Sequence, residues 1–200
     1  NQFTLEEVIR NTFVIDEGDP YNELLFNKTI NKLKSKGYFK TVNSNIVNGS
    51  ADNLKILEIT VEEKPTGEIS AGAGVGTSGA SLGFGVKENN FLGKGISLDT
   101  ALELSATTIK GQFIYSKPNF NYTDNTLFTS ISSTTTDGLT DFGYKTSKVG
   151  TSIGTRFQQY ENLYFGPTIA TSFENLKTTT TASDSLQKQK GKYTDVYFNY

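Results

Sequence analysis

A small α+β module followed by a long, all-β antiparallel domain is the fold class this sequence predicts. Three observations predict it. Composition changes at Pro65: Lys and Glu are dense in residues 1–65, whereas Gly, Ser, Thr and aromatics dominate from Thr66 on. The early apolar residues recur at helical spacing. After Thr66, apolar and polar residues alternate with period two through successive segments. The boundary therefore falls after residue 65, giving modules 1–65 and 66–200.

In the first module, Thr4-Leu5-Glu6-Glu7 has the form of a capping box, with Phe3 and Val8 placed as a hydrophobic staple. Leu5, Val8, Ile9 and Phe13 make one apolar face, and Gly18-Asp19-Pro20 breaks the helix. A second helix is predicted from Asn22 to Lys36. Phe26, Ile30 and Leu33 face the core, Lys32, Lys34 and Lys36 suit the negative C-terminal end, and Gly37 is the stop. Two strands follow, Thr41–Asn48 and Asn53–Glu63, around a turn at Gly49-Ser50-Ala51-Asp52. Leu57, Ile59 and Val61 alternate with Glu58, Thr60 and Glu62, but Leu54 and Ile56 have the opposite parity, so a bulge or twist is expected near Leu57. Two strands make a marginal sheet, and a further strand is expected before Asn1.

The second module reads as eight strands: Gly67–Gly76, Ala80–Glu88, Gly95–Ser105, Thr107–Lys117, Thr126–Thr136, Tyr144–Gln158, Leu163–Leu176 and Lys192–Tyr200. Many have the roughly ten residues that cross a bilayer at a tilt. A soluble sandwich alternates in the same way, and alternation alone does not separate the two. The ends lean towards a membrane barrel. Phe91, Phe120, Tyr122, Tyr160 and Tyr164 gather near one kind of turn, as an interfacial girdle would, and longer polar loops at Asp137–Lys145 and Lys177–Lys192 alternate with short turns.

Composition excludes several functions. Histidine and cysteine are absent, which removes Ser-His-Asp and Cys-His nucleophilic sites, disulfides and the usual zinc ligands. The net charge of −2 gives no basic footprint for nucleic acid. No apolar run is long enough for a transmembrane helix, and the mean hydropathy of −0.39 does not argue against a barrel, in which every second residue faces a polar interior. Gly74-x-Gly76-x-x-Gly79 fits a dinucleotide fingerprint on paper, but the following residues read as a strand and not the required helix. Asp16, Glu17 and Asp19 fit a solvated turn, and Asp137 and Asp141 lack calcium-loop spacing. Asp99 and Glu103 lie roughly 13 Å apart along one strand, too far for a paired-carboxylate site. No enzyme chemistry, cofactor or metal site is expected.

Two sets of residues carry a resemblance. Arg10 with Glu17-Gly18-Asp19-Pro20-Tyr21-Asn22, then Leu33-Lys34-Ser35-Lys36-Gly37-Tyr38-Phe39-Lys40-Thr41-Val42, then Val61-Glu62-Glu63-Lys64-Pro65, resembles a POTRA domain. That is the periplasmic module of the BamA family of outer-membrane assembly proteins. Gly74-Val75-Gly76-Thr77-Ser78-Gly79, Gly83-Phe84-Gly85-Val86 and Glu88-Asn89-Asn90-Phe91-Leu92-Gly93-Lys94-Gly95 resemble the opening of that family's barrel. The resemblance implies a last POTRA domain lacking its first strand in residues 1–65. Residues 66–200 are then the first eight of sixteen strands of a transmembrane β-barrel. It implies a place in the bacterial outer membrane with residues 1–65 in the periplasm, and a role in inserting β-barrel proteins. The partners would be the lipid bilayer, unfolded outer-membrane clients and accessory lipoproteins, with no nucleic acid.

Roles follow from the same resemblance. Arg10 and Glu17 match positions that engage a lipoprotein, although ordinary surface charge reads equally well. The first barrel strand, with Gly67, Ile69, Ser70, Gly72, Gly74 and Gly76, would be a weakly anchored lateral seam that opens for an incoming client strand by β-augmentation. Asn89, Asn90, Phe91, Gly93 and Gly95 would form a periplasmic turn. Leu82, Phe84, Val86, Ile96, Leu98, Leu102 and Leu104 would face lipid. A two-partner secretion or autotransporter-assembly pore shares this layout, and a passive porin would have no use for the first module.

Overall fold

The computed structural model describes residues 3–51, 54–76, 79–161 and 163–200, with Tyr122 described by its backbone only. Asp52 of the first expected turn, Asn53 at the start of the expected second strand, Thr77 and Ser78 of the first barrel hairpin, and the Tyr122 ring lie outside the described residues. The chain divides into two compact units, one of residues 1–67 with 89–96 and one of residues 68–88 with 97–200.

The first unit is built from α1 (Glu6–Arg10), α2 (Glu23–Ser35), β1 (Phe39–Asn48) and β2 (Lys55–Glu63). Asn22 caps α2 by accepting from the N–H groups of Leu24 and Leu25, so the predicted start is met by a side chain suited to it. Lys36 ends the helix and Gly37 follows at φ +73°, the left-handed conformation that glycine takes without a Cβ penalty. Phe26, Ile30 and Leu33 are buried, as the helical spacing requires, and Ile15 joins Phe26 and Ile30. Val8, Leu33, Tyr38 and Phe39 form a second cluster, with Ile9, Phe13, Val42, Ile59 and Val61 packed against it. The fully buried Thr29 was not foreseen. Its hydroxyl donates to the Leu25 carbonyl at 3.1 Å and accepts the Val14 N–H at 3.1 Å, tying the loop after α1 to α2.

Two expectations for this unit fail. Thr4 does not cap α1. The residue before the helix is Leu5, no side chain caps it, and Thr4 is committed elsewhere. The expected bulge near Leu57 is absent, because the β1–β2 register runs unbroken from Val42↔Val61 to Asn48↔Lys55. The shift lies instead between Phe39 and Thr41, where the chain leaves the buried Tyr38-Phe39 pair. Leu54 precedes β2, so its parity carries no constraint.

The second unit is a meander of antiparallel strands: β3 (Gly67–Gly76), β4 (Gly79–Phe91), β5 (Ile96–Ser105), β6 (Thr108–Lys117), β7 (Thr126–Gly138), β8 (Tyr144–Tyr160), β10 (Thr168–Thr178) and β11 (Gly191–Asn199). Each pairs with its neighbour in chain order, and the three-residue β9 (Leu163–Phe165) pairs with β8. The predicted seventh strand is thus β9 plus β10. Gly166-Pro167 interrupts it, because proline has no N–H to give to the ladder.

Register assigns the faces, since directly opposed residues share one. Leu98↔Tyr115, Phe113↔Ile131, Thr129↔Ile153, Ile153↔Ile169 and Ile169↔Phe198 run across the sheet on one side. On that side Ile109, Ile131, Ile153, Ile169, Phe173 and Val196 are 50–56% exposed. The other side carries Asp99↔Ile114, Glu103↔Lys110, Ser130↔Ser152 and Lys148↔Glu174. Glu103 pairs with Lys110 at 3.3 Å and the Ser130 and Ser152 hydroxyls lie 2.7 Å apart. Leu98 and Asp99 therefore lie on opposite faces, and Leu82, Phe84, Val86 and Leu102 are exposed as expected. Ile96 departs from the expectation. It is buried, because it closes the 89–96 segment, which packs into the first unit.

Candidate functional site

Strand β3 ends the sheet order, with β4 as its neighbour. Every residue of β3 is exposed, Ile69 at 86% and Val75 at 90%. The polar side of the first hairpin is almost bare. A Cβ added at Gly72, Gly76 or Gly83 would meet nothing within 4 Å, and the Ser70 hydroxyl oxygen lies over Gly85, 2.5 Å from where its Cβ would be. An edge of this composition holds its place by backbone pairing with β4 and little else. Each aliphatic side chain that packs contributes roughly 1.5–3 kcal/mol, and β3 supplies almost none of this.

The turn after β4 is the reverse case. Leu92, Gly93 and Gly95 all adopt positive φ, at +55°, +70° and +65°. A Cβ at Gly93 would come within 1.8 Å of the Phe3 carbonyl oxygen, so only glycine fits. Leu5 N–H donates to the Gly93 carbonyl at 2.8 Å, and the Tyr38 hydroxyl lies 3.5 Å from the Gly95 carbonyl. Asn90, 1% exposed, is the hub: its Nδ2 donates to the Thr4 hydroxyl at 2.8 Å and its Oδ1 accepts the Gly95 N–H at 2.7 Å. Asn89 binds the Thr66 carbonyl through both its backbone and side-chain nitrogens at 3.3 Å. Phe91 and Leu92 remain exposed.

Glu63 completes the clasp. Its carboxylate accepts the backbone N–H groups of Phe3 and Thr4. Burial pushes this carboxyl up, but the hydrogen bonds from Phe3 and Thr4 outweigh burial and hold it below the usual carboxylate range. Thr4, Glu63 and the hub role of Asn90 were all missed from the sequence. Thr4 was hidden by its fit to a capping box. The available signal was Asn90 itself, a polar residue where the alternation of β4 breaks off.

Arg10 and Glu17, read from sequence as separate positions, are brought together. Arg10 Nε donates to Glu6 at 2.7 Å and its Nη1 donates to Glu17, all three side chains being well exposed.

The POTRA family, surface antigen variable number repeat, matches residues 1–64. Over 123 residues the chain is 28% identical to the outer membrane protein assembly factor BamA of Neisseria meningitidis serogroup B, covering 60% of this chain and 15% of that protein. Residues 1–64 thus match the POTRA family, and the chain is similar to BamA over the aligned part. The fold agrees: BamA from Haemophilus ducreyi lacking POTRA domains 1–3 superposes with a TM-score of 0.80 over 98% of this chain and 40% of that one, at 20% identity. A POTRA module followed by antiparallel β-barrel strands is therefore the architecture of this chain. The chain spans 15% of the Neisseria relative's length.

Proposed function

We propose that this chain is the junction of an outer-membrane protein-assembly factor. In this reading residues 1–65 are its last POTRA domain, in the periplasm, and residues 66–200 are the N-terminal half of its barrel, in the bacterial outer membrane. The factor inserts β-barrel clients, and β3 is the edge on which a client strand pairs. One observation carries the reading: an apolar face that stays exposed across the sheet, ending at a strand with no side-chain anchorage. A soluble protein would cover such a face, whereas lipid covers it in a membrane. An open β3 would offer its free N–H and C=O groups to an extended client, as strand addition requires. The description of the Neisseria relative as an assembly factor favours this over a secretion pore of the same layout.

The test is a lock. In the full-length protein, a disulfide between Ser70→Cys and a facing cysteine on the final strand should stop client insertion while the protein stays folded, and reduction should restore it. Insertion at the normal rate by the locked protein would remove β3 as the working edge.

Arg10 and Glu17 are proposed to bind an accessory lipoprotein. Since they pair with each other and with Glu6, the partner must replace existing ion pairs. Arg10→Glu should abolish co-purification of the lipoprotein without altering the fold of the POTRA unit by circular dichroism. Undiminished co-purification would return the pair to ordinary surface charge.

A further inference from the structure

The apolar face of the sheet gives way to a charged band at one end. Following that face along the β8–β10 pair, the opposed residues are Ile153↔Ile169, Thr151↔Thr171, Val149↔Phe173, Ser147↔Asn175 and Lys145↔Lys177, with no break in register. On the flanks, Asp137 of β7 opposes Lys145, and Lys192 of β11 opposes Asn175. The last apolar level is therefore Val149 and Phe173, 44% and 56% exposed. The Lys145–Lys177 level lies roughly 13 Å of strand beyond it, and Ser147 and Asn175 make a polar level between.

Charge on this face is not balanced. Lys145 donates to Asp137 at 2.7 Å. Lys177 and Lys192 are exposed and make no ion pair among the described residues. The polar face of the sheet, by contrast, matches its lysines one to one: Lys110 with Glu103 at 3.3 Å, and Lys148 with Glu174 at 3.9 Å. At the other end of β7, β8, β10 and β11 the apolar face carries Leu127, Phe157 and Phe198, and no lysine or arginine among the described residues. An excess of cations therefore marks one end of this face only. Hairpins of a meander alternate ends, so this is the end of the 139–143 and 179–190 loops, opposite the 161–167 connection. In the reading proposed above it is the cell-exterior end.

We propose that Lys145, Lys177 and Lys192 form a binding site for the phosphate of a lipid headgroup in the outer leaflet, with the acyl chains of that lipid laid along Val149 and Phe173. The proposal rests on the outer-membrane reading above. An ammonium pairs with phosphate as a point charge, and its flexible stem lies along apolar surface with the head free to move. Three stems on adjacent strands can thus converge on one headgroup without a preformed pocket, and clustered lysines at a membrane surface attract anionic lipid. The apolar level next to the lysines favours a lipid over a soluble anion, because one face offers a surface to each half of an anionic lipid.

Residues 1–200 contain no cysteine, so Asn175→Cys places a single label beside Lys177 and Lys192. Full-length protein with a fluorophore on this residue as its only thiol is reconstituted in phosphatidylcholine vesicles. The vesicles hold a small fraction of nitroxide-labelled phosphatidylglycerol, or the same fraction of nitroxide-labelled phosphatidylcholine. Phosphatidylglycerol should quench the label at 175 several-fold more than phosphatidylcholine. The excess should fall to near parity in the Lys177→Gln, Lys192→Gln variant and survive in the Lys177→Arg, Lys192→Arg variant. A label at Leu127→Cys, on the same face at the other end, should show no preference. A label at Ile131→Cys should be quenched by a deep acyl-chain nitroxide. Equal quenching at 175 by the two lipids, with 131 in lipid, refutes the site and leaves the membrane reading standing. A label at 131 in water overturns both. An excess that the glutamine variant retains overturns the assignment to these lysines. Loss of the excess on adding inorganic phosphate, but not chloride at the same ionic strength, would give the lysines to a soluble anion and overturn the lipid proposal.

Discussion

Strand β3 and the turn of residues 89–96 are both rich in glycine, and they use it in opposite ways. In β3 most of the polar-side glycines face empty space: a Cβ at Gly72 or Gly76 would meet nothing within 4 Å, and one at Gly74 would meet only the Ser81 hydroxyl oxygen at 3.4 Å. In the turn they are jammed: Gly93 stands at φ +70° against the Phe3 carbonyl, and Gly95 packs on Val8. Glycine in the strand removes side-chain anchorage. Glycine in the turn permits a contact no other residue could make. One composition therefore produces a loosely held edge in one unit and a rigid clasp in the other.

The sharpest way to break this contrast is Gly93→Ala. It forces a left-handed backbone on a Cβ that has no room, and should cost about 2–4 kcal/mol from strain and overpacking together. Gly72→Ala, by contrast, meets open space and should stabilise by about 0.4–1 kcal/mol through the unfolded chain. Urea titration of the full-length protein in lipid vesicles measures both, and similar effects of the two would dissolve the distinction.

Asn90→Ala comes next. It leaves the Gly95 N–H without its acceptor in a buried site and should cost about 1–3 kcal/mol, whereas Asn89→Ala, with a more exposed partner, should cost less. Protection of the Gly95 amide from exchange reports the loss directly, and an unchanged rate would mean that the turn is held by other contacts.

A smaller effect is expected from pH. The folded-state Glu63 carboxyl sits below its unfolded value, so the folded form binds fewer protons. The stability it contributes is complete above the ordinary carboxylate range and is lost as pH falls through that range towards the depressed folded value. Glu63→Gln should flatten this acid limb in a pH series of melting curves, and an unchanged acid limb would remove Glu63 from the clasp.

What was legible in the sequence follows the same division. Period-two alternation located the sheet strands to within a few residues, and β3 matched end to end, because alternating faces demand alternating residues. The α2 helix was legible for the same kind of reason, with Asn22 and Gly37 marking its limits. Contacts between distant segments were not legible. Thr4 satisfies a local capping rule in sequence, yet its hydroxyl serves Asn90, 86 positions away. Gln159 looks like one more polar residue of β8, and only pairing with β9 reveals the shift it causes. Ile96 shares the parity of Leu98 but ends a turn committed to the other unit. Leu57 shows the converse error: the opposite parity of Leu54 and Ile56 suggests a bulge or twist, yet the register there is continuous.

The central claim is that β3 is the weakly held edge of this sheet. Backbone amide exchange in the full-length protein, inserted in lipid vesicles, tests it most directly. Amides of residues 67–76 should exchange much faster than those of residues 97–104 in β5 and than Gly93 and Gly95 in the turn. Protection of β3 equal to that of β5 would contradict the account, since an edge so firmly held could not open for a client strand.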